Sequence, residues 1–560
     1  MPESRARYWG SRIALLVLSP LIFLAAVEAL VTAKYGELDY PLPGIEEAAR
    51  YLHFTMPERY NPLFELDPDS IEGEEGWFRT RPELWDRINF LVRDQRFPAR
   101  RTQDALRVAF IGGSSVQGWP YRAKGASFAE LVGERLSKSF PDRRIDIINA
   151  GVGAYSSFQL IDVAWQVRIF NPDVVVVYAG HNDQGYYLFH REFLDQASQN
   201  KPQNLQGAER FLNRFNFYQA ARRLRDKGAV KPVKVDITHH QSDIFVPQEE
   251  YSDFVGKENY SEFVRIQQRY LPQLFARNLN DIIDTLHDDD TTVILVPPAS
   301  NLRDVRPSFS MDWESISAED LKRIEGLTSL LEQQLETAGI GPRTMPGISG
   351  NGEGMSFGYW AGPVWPDGSH ELGSAEAVEA CGPILEIVER GKAISSTWAD
   401  FHFFEGTCLL HSDPQAAAAA FQRARDLSPA LPPMQRAGAN IQDAVRGVAS
   451  ERGVPLVDLP AYFDEHAALG IPGGELFVDT LHFSPDGAAM AADALAPAIA
   501  RTPAFVGESS RRADPPAKET WRRVQLNSKE FRWGMDLEVP GAGAQKLGPD
   551  SDPTIGHRPQ

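Results

Sequence analysis

The chain has 560 residues, too many for one ordinary domain, so two or three units are expected. Its composition is globular, at 42% hydrophobic and 24% charged, and its net charge of −19 argues against nucleic acid as a partner. The two cysteines, Cys381 and Cys408, form no CxxC and no Cys/His cluster, so neither a zinc site nor another metal is indicated.

Arg5, Arg7 and Arg12 form a basic N-terminus over residues 1–12. They precede Ile13–Ala33, which is apolar apart from Pro20, Glu28 and small polar residues. That stretch is long enough to span a bilayer, and the basic flank would stay cytoplasmic. A signal peptide cleaved near Val31-Thr32-Ala33 is the alternative. On either reading the rest of the chain is membrane-anchored or secreted, and extracytoplasmic. A Cys381–Cys408 disulfide is permitted there.

Residues 34–105 read as an irregular lead-in with scattered aromatics. The chain then changes character at Arg107–Pro120, RVAFIGGSSVQGWP. An apolar run at Val108–Ile111 predicts a buried parallel strand, and it breaks into Gly112-Gly113-Ser114-Ser115. Such a serine sits at the carboxyl edge of the sheet, where open α/β sheets bind ligands. The two glycines are expected to supply a sharp turn. Ser127 and Glu130 form a capping-box pair ahead of an amphipathic helix. A second strand, Ile145–Ile148, ends at Asn149-Ala150-Gly151-Val152-Gly153-Ala154, and a helix follows over about 158–169. The third strand, Val174–Tyr178, is nearly all valine, as expected for burial on both faces. It ends at Gly180-His181-Asn182-Asp183.

Residues 184–262 interrupt this alternation, and a lid over the sheet edge is one reading of them. A helix through Phe275, Leu279, Ile282 and Leu286 then leads to strand four, Thr292–Val296. A second insertion covers 300–432. Within 400–430, Ala417, Phe421, Ala424 and Pro429 match the spacing of the second half of a tetratricopeptide repeat, with Gly406 one residue off its usual place. A helical hairpin packed on the main domain and a surface for a protein partner are both open there. A helix through Ile441, Val445 and Val448 leads to strand five, Val454–Leu459. Asp479-Thr480-Leu481-His482 follows, and Ser484-Pro485 starts a helix that ends near Ala500. Residues 501–560 read as a mobile tail. The strand–helix alternation predicts a parallel α/β sheet over 106–500.

Four strand ends thus carry the groups that ester hydrolysis by a serine requires. Ser114 is the candidate nucleophile, His482 its base and Asp479 the carboxylate that orients the base. The Ser114 N–H, a backbone N–H of the Gly153-Ala154 turn and the Asn182 amide are the candidate oxyanion donors. Taken singly, each has an ordinary structural explanation as a turn serine, a helix cap or a solvated loop histidine. Their order along the chain is what sets them apart. Competing motifs fail. Trp119 stands where a P-loop needs lysine, and Gly151-x-Gly153-x-x-Ser156 lacks the third glycine of a dinucleotide turn. Val116 replaces the last glycine of a nucleophile elbow. His239-His240 and Asp288–Asp290 read as surface features.

In order and context, Ser114, the turn after Asn149, Asn182 in Gly-His-Asn-Asp and His482 in Asp479-x-x-His482 resemble the blocks of the SGNH (GDSL-type) hydrolases. The resemblance covers about 106–183, 264–299 and 434–500. Gly113 stands where the family usually has aspartate, and the oxyanion glycine falls on Gly153 or Ala154. The resemblance implies a flavodoxin-like, three-layer α/β/α fold with a five-stranded parallel sheet, and catalysis without metal or cofactor. It also implies esterase, lipase, thioesterase or carbohydrate-deacetylase activity. The substrate is then an ester, of an acylated carbohydrate or a lipid. Transfer of the acyl group to a cell-surface polysaccharide and an inactive scaffold that binds a partner are the alternatives. Trp119, Tyr121 and Tyr155 are candidates for lining the pocket.

Overall fold

The computed structural model describes residues 63–67, 76–85, 92–183, 271–286, 291–337, 375–428 and 436–507, less a few positions inside these spans, with short pieces at 23–34, 212–221, 341–344 and 360–364. Most of the expected lid at 184–262, including His239-His240, lies outside the described residues, as do Asp288–Asp290, Pro429 and the tail beyond 507.

At the centre is a parallel sheet of β4 (Ala105–Gly112), β5 (Arg144–Gly151), β6 (Val174–Tyr178) and β7 (Thr292–Val296). Its spatial order is β5-β4-β6-β7. Side chains alternate between two apolar layers, as a period of two requires. Ala109, Ile111, Val175, Val177, Val293 and Leu295 face one layer. Val108, Phe110, Val174, Val176, Ile294 and Val296 face the other. Helices α3 (Ser157–Arg168), α4 (Leu271–Leu286) and α9 (Ala439–Arg452) cover the first face. Helices α2 (Phe128–Ser139), α10 (Leu459–His466) and α11 (Pro485–Ala500) cover the second. The capping box of α2 forms as its sequence predicts: Ser127 accepts from the Glu130 N–H, and Glu130 accepts from the Ser127 N–H.

Two expectations need correction. The fifth strand is reduced to one parallel bridge, Leu295 with Leu456. Pro455 has no N–H to extend the ladder, and Asp458 caps α10 immediately afterwards, accepting from the Ala461 N–H. The sheet is therefore four-stranded. The lead-in is not irregular throughout: β1 (Phe64–Leu66), β2 (Trp77–Thr80) and β3 (Arg96–Pro98) form an antiparallel sheet. Phe64, Phe78 and Phe97 pack edge-to-face on Phe170, which joins this sheet to the main core.

The repeat-like segment is a single hairpin of α7 (Ala399–Leu409) and α8 (Pro414–Asp426), not an array. It shares a third core with α5 (Ala318–Thr337) and α6 (Ala375–Ile394), which also takes in Leu302 and Ile471. Phe421 and Ala417 are buried in that core, and Gly406 lets the Phe421 ring approach to where a Cβ would lie 3.0 Å away. An antiparallel pair, β8 (Gly341–Thr344) and β9 (Trp360–Val364), lies between α5 and α6 in the chain.

Much of Ile13–Ala33 lies outside the described residues, and residues 23–34 are helical. Among the described residues no helix is long and apolar enough to cross a membrane. Glu28, the charged residue of that stretch, accepts from the Asn216 and Phe217 N–H groups, each at 2.8 Å.

Candidate active site

The order β5-β4-β6-β7 reverses direction between β4 and β6, and the carboxyl ends of strands at such a reversal form a crevice. Ser114 follows β4 and Asn182 follows β6, so the topology alone brings both to this crevice. Ser114 opens a one-turn helix, α1 (Ser114–Gln117), and as its first residue it has an N–H with no intrahelical acceptor.

The glycines around it are required by space rather than by unusual backbone angles. Gly113 has φ −84°, which any residue adopts. A Cβ on Gly112, however, would fall 2.2 Å from the Tyr178 carbonyl oxygen, and one on Gly151 would fall 2.2 Å from the Gln117 nitrogen. Helix α1 therefore lies flush on the ends of β4 and β5, where Gly112 also meets the end of β6. Asn149 fixes it there, donating from Nδ2 to the Val116 carbonyl at 2.8 Å and accepting from the Gly151 N–H at 3.0 Å.

The structure brings Ser114, His482 and Asp479 together. Ser114 Oγ lies 2.6 Å from His482 Nε2, and His482 Nδ1 lies 2.5 Å from Asp479 Oδ2. A carboxylate only accepts, so Nδ1 carries the hydrogen and Nε2 is the acceptor for the serine hydroxyl. The other Asp479 oxygen accepts from the N–H groups of Leu481 and His482, at 2.9 and 2.7 Å. Burial works to raise the Asp479 carboxyl. The facing His482, its hydrogen bond and those two N–H donors outweigh burial and hold the carboxyl below its usual range. This arrangement can move a proton from the serine to the imidazole and stabilise the imidazolium that results.

Asn182 Nδ2 donates to the Tyr155 carbonyl at 2.9 Å, which leaves its second N–H for another acceptor. The same nitrogen lies 2.8 Å from where a Cβ on Gly113 would be, so this amide sits directly beside the residue preceding Ser114. Gly153 lies in a turn held against β4, where the Val152 N–H donates to the Gly112 carbonyl at 2.9 Å. Ala154, the other candidate in that turn, lies outside the described residues.

His181 is the neighbour most easily mistaken for a base. Its Nδ1 accepts from the Ala437 N–H at 3.1 Å, and Nε2 faces the Tyr178 hydroxyl at 3.3 Å. Burial, with His482 nearby, depresses it to about 3, so it stays neutral. Asp183 accepts from the Ser157 N–H at 3.1 Å and from the Ser157 hydroxyl, fixing the start of α3 beside Asn182. Of the three aromatics expected at the pocket, Trp119 lies against His482, with ring centroids 4.5 Å apart. The Tyr121 hydroxyl is raised by burial and then by the Asp479 charge, which places it near that carboxylate. Tyr155 is buried and contributes its carbonyl to Asn182. Asn149 serves this site without having been read as a site residue, and an asparagine at a strand end was the signal for it. Among the described residues no group of three or more His, Cys, Asp or Glu side chains is placed to hold a metal.

Residues 110–318 match the sequence profile of the GDSL-like lipase/acylhydrolase family. The matched stretch contains Ser114, Gly153, Ala154 and Asn182 and ends before Asp479 and His482, which the fold brings back to them. No curated protein matches the chain. Among solved structures, an α/β hydrolase from the metagenome of Lake Arreo, Spain, is 14% identical with a TM-score of 0.26, over 72% of this chain and 97% of that one. The lipase/acylhydrolase from Enterococcus faecalis is 10% identical with a TM-score of 0.26, over 70% of this chain and 95% of that one. An acetyl xylan esterase from Geobacillus stearothermophilus is 12% identical with a TM-score of 0.24, over 74% of this chain and all of that one. Superpositions this loose carry no argument, and the family match does. Over residues 110–318 the chain is similar to the GDSL-like lipases/acylhydrolases, and it is an ester hydrolase.

Proposed function

We propose that the protein is a serine esterase of the SGNH type that works outside the cytoplasm through an acyl-enzyme. The observation that carries the chemistry is the hydrogen-bond chain from Ser114 Oγ through His482 to Asp479, at 2.6 and 2.5 Å. The basic residues ahead of Ile13–Ala33 support the location.

Ser114 Oγ attacks the ester carbonyl carbon as its proton passes to His482 Nε2. Negative charge develops on the former carbonyl oxygen. The Ser114 N–H and the second Asn182 N–H are the donors aimed at it, with a backbone N–H of the 153–154 turn as the third. The ester C–O bond then breaks, and His482 Nε2 returns the proton to the leaving alkoxide. Water enters, gives its proton to His482, and attacks the acyl carbon to release the acid and restore Ser114. Asp479 keeps the imidazole in the tautomer that both halves need.

Trp119 lies over the histidine that protonates the leaving alcohol, so it borders the alcohol side of the ester. A flat apolar surface there suits a ring-shaped alcohol such as a sugar. It also bears on the second reading, in which a sugar hydroxyl replaces water and the acyl group is transferred. The test is hydrolysis of short-chain p-nitrophenyl esters by the protein and by Ser114→Ala, with a fluorophosphonate probe alongside. Serine-dependent turnover and labelling support the esterase, and unchanged turnover in Ser114→Ala refutes it. An acylated product formed only when a sugar acceptor is added selects the transferase.

A further inference from the structure

The tip that carries Asp479 and His482 has little pairing of its own. Its one β-bridge joins Phe477 to Phe483. The four backbone carbonyls from Asp479 to His482 are nonetheless held. The His482 carbonyl accepts from the Val478 N–H at 2.9 Å, and that of Leu481 accepts from the Ser115 hydroxyl at 3.1 Å. The carbonyls of Thr480 and Asp479 are both held by Asn301, through its N–H at 3.0 Å and its Nδ2 at 3.3 Å.

Asn301 belongs to the segment that follows β7, distant in sequence from the tip. It is fully buried, and its Oδ1 accepts from the Asp304 N–H at 3.0 Å. Its own carbonyl accepts from Arg436 at 3.0 Å. The same segment grips the base of the loop. The Leu302 and Arg303 N–H groups donate to the Pro472 carbonyl at 3.0 and 3.2 Å, and Asp304 accepts from the Gly474 N–H at 2.5 Å. Arg306, further along, pairs with Asp400 on α7 and Glu332 on α5. The helical insertion thus meets the catalytic loop through this segment.

We propose that Asn301 is a positioning residue for the acid–base pair, holding the Asp479 backbone so that its carboxylate meets His482 Nδ1. The inference rests on the serine-esterase reading of the site. Two separate hydrogen bonds, at 2.6 and 2.5 Å, must be satisfied at once by one imidazole, so a small shift of residue 479 loosens both. Misplacement by about an ångström costs about 100-fold in rate. A less firmly held carboxylate also stabilises the imidazolium less, so the acidic limb of the rate profile should move to lower pH.

The experiment compares Asn301→Ala and Asn301→Ser on p-nitrophenyl acetate with Ile384→Val, a change in the helical core. A serine hydroxyl can still accept from the Asp304 N–H but is too short to reach the Asp479 carbonyl. Rates are referred to the folded fraction read from each thermal melt. The expected result for both Asn301 variants is a kcat lower by about 10- to 100-fold, a KM within about twofold, and an acidic limb of kcat/KM moved to lower pH. Ile384→Val should lose melting temperature and keep the limb in place. Wild-type kcat and limb in Asn301→Ser would overturn the proposal. So would an Asn301→Ser chain that fails to fold, or a kcat loss that Ile384→Val reproduces. If Ser114→Ala keeps its turnover, the esterase site itself fails. If Ser114→Ala is inactive while Asn301→Ser is normal, only this inference fails.

Discussion

Replacing Asp479 by asparagine tests the proposed relay with little disturbance to the fold. One Asp479 oxygen accepts from the Leu481 and His482 N–H groups, at 2.9 and 2.7 Å, and an asparagine oxygen can keep both bonds. The NH2 group then takes the place of the oxygen that lies 2.5 Å from His482 Nδ1. Two donors cannot face each other, so the imidazole must turn Nδ1 into the acceptor and carry its hydrogen on Nε2. In that tautomer Nε2 cannot accept the Ser114 proton across the 2.6 Å contact. The expected loss in kcat is about 10⁴-fold, or roughly 5 kcal/mol, the size seen when the same change is made in serine-protease triads. KM should move little, because no atom that holds the ester is removed. The assay is p-nitrophenyl acetate turnover beside fluorophosphonate labelling of Ser114, with circular dichroism as the check on folding. A folded Asp479→Asn enzyme within tenfold of wild-type kcat would refute the reasoning.

Gly113→Ala should lower kcat by up to about 100-fold while leaving the fold intact, since its Cβ would press on the Asn182 amide at 2.8 Å. Wild-type kcat in that variant would remove Asn182 from the oxyanion assignment. Burial raises the Asp183 carboxyl from 3.8 to about 6, against the lowering effect of its Ser157 hydrogen bonds. The folded protein therefore keeps this proton to higher pH than the unfolded chain does. The associated stability, about 3 kcal/mol, is present below pH about 4 and lost as pH rises through about 6. Urea unfolding across that range should show the stability of wild type relative to Asp183→Asn falling as pH rises, and a constant difference would refute the assignment. The Cys381 and Cys408 thiols are unbridged and in hydrogen-bond contact between α6 and α7. If the chain is exported, intact-mass measurement should find it lighter by two hydrogens, with roughly 3–4 kcal/mol of added stability that reduction removes. Two free thiols in exported material would contradict that.

The sheet was legible where local pattern and tertiary burial agree. Val174–Tyr178 and Thr292–Val296 are continuous apolar runs, and both strands begin and end where the sequence placed them. Val454–Leu459 gave the same signal and was over-read, because an apolar run does not reveal that Pro455 lacks the N–H its ladder needs. The strands at 64–66, 77–80 and 96–98 were missed for the opposite reason. They are too short to show a period, and tertiary packing of Phe64, Phe78 and Phe97 against Phe170 helps to hold them. That Ser114, Asp479 and His482 meet, with Asn182 beside Gly113, was legible because each lies in a recognisable short sequence block. Asn301 was not, since the partners that give it meaning, Asp479 and Thr480, are supplied by a distant part of the chain.

The glycines show how the crevice is shaped. Gly112, Gly113 and Gly151 all have neighbours within 2.8 Å of where a Cβ would stand, and those neighbours belong to β6, the Asn182 block and α1. The close approach of backbones that they permit lets three segments, far apart in sequence, meet at one crevice. That constraint falls on the carboxyl ends of β4, β5 and β6 and leaves the connections beyond them free to vary. The segment that follows β7 shows what such a connection can do, since Asn301 on it holds the Asp479 and Thr480 carbonyls. It reaches the loop of the acid–base pair without entering the ladder beneath. Changes in that segment should accordingly alter the Asp479–His482 geometry more than they alter the sheet.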